Sequence, residues 1–66
     1  MTKREELNHI ANMAGCVVNH ENGFYFINIV GEERTIKQCL FVGTLKECMN
    51  FCYGLNAYKR YWEGQK

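Results

Sequence analysis

The chain has 66 residues and a formal net charge of +1, from eight cations against seven anions. That is one small domain with no general pull toward nucleic acid or anionic lipid. Serine, aspartate and proline do not occur, which excludes a Ser-His-Asp triad and the aspartate clusters common in magnesium-dependent phosphoryl transfer.

From the N-terminus, Thr2-Lys3-Arg4-Glu5 has capping-box spacing, in which a threonine hydroxyl and a glutamate satisfy each other's free backbone N–H groups. Leu7, Ile10, Ala11 and Ala14 follow at helical intervals and Gly15 suits a C-cap, so the spacing predicts a helix over residues 3–14. Next, "CVVNHENGFYFINIV" places Asn22-Gly23, a favoured hairpin turn pair, between a short strand (16–19) and a longer one (24–30). Tyr25, Ile27 and Ile29 alternate with Phe24, Phe26 and Val30, so both faces of the second strand are apolar. One helical layer covers one face, and a second subunit is expected to cover the other. Residues 31–34 read as a polar loop and residues 35–42 as a third strand.

After Gly43 the capping-box spacing returns in Thr44-Leu45-Lys46-Glu47 and opens a helix expected over 45–63, with Gly64 as its stop. Its apolar stripe runs Leu45, Cys48, Met49, Phe51, Cys52, Leu55, Tyr58 and Trp62. The expected fold is α+β: helix, three-stranded antiparallel meander, helix (αβββα), one domain over residues 1–66. A chain this short hides only about 60% of its unfolded surface, and a lone core below roughly 70–80 residues seldom supplies more than ~3–5 kcal/mol. With 47% hydrophobic residues, the expected remedy is a homodimer.

The stretch "YKRYW" near the C-terminus interleaves three rings with two cations. Phe51, Leu55, Tyr58 and Trp62 continue one side of the stripe and are expected in the core or a dimer seam. Tyr53, Gly54, Ala57, Arg60 and Tyr61 fall on the opposite, wet side. A mid-helix glycine forgoes about 1 kcal/mol relative to alanine, consistent with close approach of another backbone. Tyrosine and arginine are enriched at binding hot spots, so this face is the candidate protein-binding surface, its alternative being ordinary exposed tyrosines. A nucleic-acid reading of Lys59, Arg60 and the neighbouring rings, with Lys66 as a further cation, needs phosphate contacts and base stacking. No basic run or recognition motif accompanies them.

Cys48-x-x-x-Cys52 puts two thiols on one helix face, the best metal candidate, with further ligands to be found among Cys39, Cys16, His9 and His20. Both cysteines also lie in the middle of the apolar stripe, where free thiols act as small hydrophobes. No metal or other cofactor is expected. The start "MTKREELNH" has no apolar h-region, and no apolar run approaches the ~18 residues that span a bilayer. A reduced, soluble, cytoplasmic protein is the expectation.

The step "CLFVGTLKECMNFCYGL" (residues 39–55) resembles a pattern in small phage and prophage accessory proteins, where a strand ends in Gly-Thr-Leu-Lys-Glu and an amphipathic helix follows. The resemblance covers about a quarter of the chain and carries over no catalytic residues. It implies a compact, non-enzymatic protein that binds and modulates a host protein, inhibitors of bacterial defence systems being of that class.

Overall fold

Both capping boxes form in the structure, a computed structural model that describes residues 2–64. Helix α1 (Lys3–Met13) opens with Thr2 Oγ1 accepting from Glu5 N–H and Glu5 Oε1 accepting from Thr2 N–H, each at 3.1 Å. Helix α2 (Leu45–Gly64) opens the same way, Glu47 N–H donating to Thr44 Oγ1 at 3.3 Å and Thr44 N–H to Glu47 Oε1 at 2.9 Å. These N–H donors favour the ionised carboxylates and hold Glu5 and Glu47 below the ordinary glutamate value of 4.5. The caps therefore contribute fully above that value and fade as pH falls through the lowered ones.

Between the helices lie β1 (Cys16–Glu21), β2 (Phe24–Ile29) and β3 (Phe41–Gly43), a fully antiparallel sheet in the order β1-β2-β3. The fold is the expected αβββα arrangement. Asn22 and Gly23 turn the hairpin with φ of 50° and 82°, the left-handed pair whose twist matches the flanking strands. Cys16 pairs with Ile29, Val18 with Ile27, and Ile27 in turn with Phe41. That register puts Cys16, Val18, Ile27 and Phe41 on one face, beneath the helices. Ile27 is fully buried there with Leu7, Ala11, Cys48 and Cys52, and Ile10, Met49 and Cys16 close the same core. Phe41 and Phe51 stack beside it, ring centroids 4.6 Å apart.

The third strand is shorter than expected. Of residues 35–42 only Phe41 and Val42 are extended in the ladder, and the preceding segment turns on itself, with Gln38 N–H donating to Thr35 O. Cys39 Sγ ties that turn to Ile36 O and Phe41 O at 3.3 Å each. The residue just before that turn is held from across the sheet. Asn28 points away from the helices, is 2% exposed, and donates from Nδ2 to Arg34 O at 3.1 Å. Leu40 N–H reaches Ile27 O. The segment around Arg34 thus folds back over Asn28 on the second face, the face on which Phe26 is also buried. Part of the cover expected from another subunit comes from the chain itself, while Phe24 and Val42 on that face stay about half exposed.

The two helices lie side by side and parallel. Tyr53 meets Glu6, Asn56 meets Ile10 and Lys59 meets Met13, so both helices advance in the same direction. Twenty residues of α2 against eleven of α1 make about 30 Å against about 16 Å. The last turns of α2 therefore overhang everything they can pack on. Tyr58 and Trp62, expected in the core or a dimer seam, are not core residues: they are 61% and 53% exposed. The helical period holds along α2, but the layer beneath runs out after Leu55. No helix among the described residues is long and apolar enough to cross a membrane.

Candidate functional site

A groove of about 300 Å³ runs between α1 and α2, lined by Glu6, His9, Ile10 and Met13 from one helix and Tyr53, Asn56, Ala57 and Arg60 from the other. The spacing of each helix produces it. On α1, positions 6, 9, 10 and 13 recur every three or four residues along one flank. On α2, positions 53, 56, 57 and 60 do the same. Small Ala57 leaves the hollow open between Tyr53 and Arg60.

The floor is fixed by Asn56, whose Nδ2 donates to Ile10 O at 3.1 Å and to Cys52 O at 3.0 Å. One amide thus clasps the two helices together. At the amino-terminal end Tyr53 O–H donates to Glu6 Oε1 at 3.1 Å, and Lys3 Nζ lies 3.8 Å from Glu6 Oε2. The Glu6 carboxylate holds the Tyr53 proton and raises that phenol above its ordinary value. Tyr53 also borders a second hollow of about 290 Å³ with Lys46, Met49 and Asn50, and so forms a ridge between two depressions. Arg60 closes the far end as an unpaired exposed cation among the described residues. The groove therefore has the Glu6 carboxylate, shared with Lys3, at one end, the Arg60 guanidinium at the other, and an apolar lining along Ile10, Met13 and Ala57.

Of the five residues expected to bind a protein, Tyr53, Ala57 and Arg60 line this groove. Gly54 and Tyr61 are exposed but lie one face round, outside the lining. The close approach expected at Gly54 does not occur within this chain, since a Cβ built there meets nothing within 4 Å. Gly54→Ala is consequently expected to stabilise the isolated protein by about 1 kcal/mol, read as a higher urea midpoint. Destabilisation would mean that the backbone there is constrained in a way the helix does not display. Phe51 and Leu55 pack against the core, and Tyr58 and Trp62 sit edge-to-face at 5.8 Å on the overhang.

The α1 half of the groove is not legible in the sequence, where His9 enters only as a candidate metal ligand. The structure shows Met13, a large apolar side chain at the helix end, 48% exposed at the rim.

Lys59 Nζ reaches Met13 O at 3.5 Å and supplies the cation that the last turn of α1 lacks. Arg60 turns toward the groove. Both cations thus face the end of α1 near Met13; Lys66 lies outside the described residues. Cys48 and Cys52 are both fully buried, and among the described residues no group of three or more His, Cys or acidic side chains is placed to hold a metal ion. Desolvation raises both thiols, Cys52 to about 11. They stay protonated at neutral pH and act as core packing.

No family model, curated protein or solved structure matches the chain.

Proposed function

We propose that this protein is a non-enzymatic binding module that acts by blocking a surface of another protein. The phage-like pattern of residues 39–55 suggests a phage or mobile-element inhibitor whose target is a host protein, with defence proteins the first class to try. The observation that carries this reading is the groove between α1 and α2 with its Tyr53 ridge. Tyr53, Arg60 and Met13 are exposed there around small Ala57, a combination suited to an inserted side chain or helix edge. The opposite charges at the two ends, Glu6 and Arg60, would fix the direction in which a partner segment lies.

The test is affinity capture from host lysate with wild-type protein and a Tyr53→Ala/Arg60→Ala variant in parallel. Both side chains line the groove and are exposed, so the variant is expected to fold as the wild type does. Binding of a specific partner retained by the wild type should be weakened at least tenfold in the variant, as loss of hot-spot tyrosine and arginine typically does. Equal retention by the two proteins would remove this face from consideration.

A further inference from the structure

The opposite flank of α2 presents a different surface. Past Leu55 the helix leaves its own sheet, and Tyr58, Tyr61 and Trp62 project 61%, 62% and 53% exposed, braced edge-to-face on one another at 5.8 and 6.2 Å. At the same pole Lys59 meets Met13, and Val30 N–H pairs with Gly15 O, which brings the ends of α1 and β2 together. Ile29, Val30 and Leu40, 43–56% exposed, belong to this end. We infer that this pole is a self-association surface, on which the α2 overhang of one copy crosses the overhang of a second copy about a two-fold axis. The inference is independent of the groove and its partner.

Two observations favour a second copy as the occupant. The first is area. Scaling ~150–250 Å² per aromatic side chain by these exposures, and adding about half of each of the three aliphatic side chains, gives roughly 600 Å² per protomer. Specific interfaces begin at about 600 Å² a side, so the patch is large enough to pair with itself. The second is charge. Lys59 and Glu63 are four residues apart on one face of the overhang. An antiparallel crossing draws Lys59 of one copy from its 3.5 Å contact with Met13 O to Glu63 of the other, and the reverse pair forms by symmetry. The Phe51–Leu55 edge of each core then continues over the rings of its neighbour.

Sedimentation equilibrium from about 1 to 200 µM tests this, with Trp62, the sole tryptophan, as an internal reporter. The wild type is expected to pass from 7.8 kDa to twice that mass, with Trp62 emission shifting to the blue as concentration rises. Tyr58→Ala/Trp62→Ala should remain monomeric with unchanged helical circular dichroism. Lys59→Glu should weaken dimerisation roughly fivefold, and Lys59→Glu/Glu63→Lys should restore it. A wild type that stays monomeric throughout overturns the inference, as does a dimer indifferent to the aromatic variant or not rescued by the charge swap. Blue-shifted Trp62 emission from a monomer bound to phosphatidylserine vesicles would overturn it in favour of a membrane surface.

Discussion

Ile27→Ala is expected to abolish most or all of the fold at 25 °C. Ile27 occupies the middle of the central strand, pairs with Val18 on one side and Phe41 on the other, and is fully enclosed by both helices. Truncating a buried isoleucine to alanine costs about 2–5 kcal/mol, because the surroundings collapse only partly into the space left. A single core in a chain of this length supplies about 3–5 kcal/mol in total, so the loss and the whole margin are of one size. The measurement is urea denaturation followed by far-ultraviolet circular dichroism. Trp62 sits on the exposed overhang and reports little of the core. Val42→Ala, on the outer face and 45% exposed, should shift the midpoint only slightly. Comparable losses from the two substitutions would mean that the helices do not pack where this sheet register puts them.

The second large effect is expected from Asn28→Asp, and it should depend on pH. The Asn28 amide is buried and donates to Arg34 O at 3.1 Å, which anchors residues 30–40 across the sheet. An ionised carboxylate at that position turns a lone pair toward the carbonyl and buries a charge. The Arg34 side chain is exposed and solvated. The cost at pH 7 is about 3 kcal/mol or more. A protonated acid, by contrast, can donate to Arg34 O. Folding therefore favours the protonated form and raises the pKa of the introduced carboxyl above the ordinary ~3.9. The deficit relative to wild type should be small near pH 4 and should grow as pH rises through the elevated value. Asn28→Leu leaves the carbonyl without a partner at every pH, so its cost of about 1–3 kcal/mol should be flat across the same range. If the deficit of Asn28→Asp is flat as well, the 30–40 segment does not depend on this donor.

The elements legible in sequence are those with local chemistry. Thr-x-x-Glu before an apolar run specifies a helix start from four residues, and Asn-Gly specifies a hairpin from two. Both kinds of signal act within one turn of chain, and both helices and the hairpin form where they point. The third strand is a second case. Its residues have acceptable strand composition, but residues 35–39 close a turn of their own through Gln38 N–H to Thr35 O and Cys39 Sγ to Ile36 O, while Arg34 just before them is held by the buried Asn28 amide. The one polar residue in "FYFINIV" was the clue, since a buried amide requires a partner. Tyr58 and Trp62 show a third case: periodicity states which side of a helix is apolar, but not how far the layer beneath extends. Likewise the groove could be only half read, because α2 announces its tyrosines while the neighbouring α1 is known only once the helices are paired.

The parallel course of the helices gives the molecule polarity. Their amino-terminal ends lie at one pole, so partial positive charges gather there and partial negative charges at the other. Glu5, Glu6 and Glu47 sit at the first pole and Lys59 at the second, each opposing the nearby backbone charge. Acid neutralises only the carboxylates and leaves the lysine charged. Acid unfolding should accordingly be a directional event, beginning as paired fraying at the two threonine caps while the clasped end still holds.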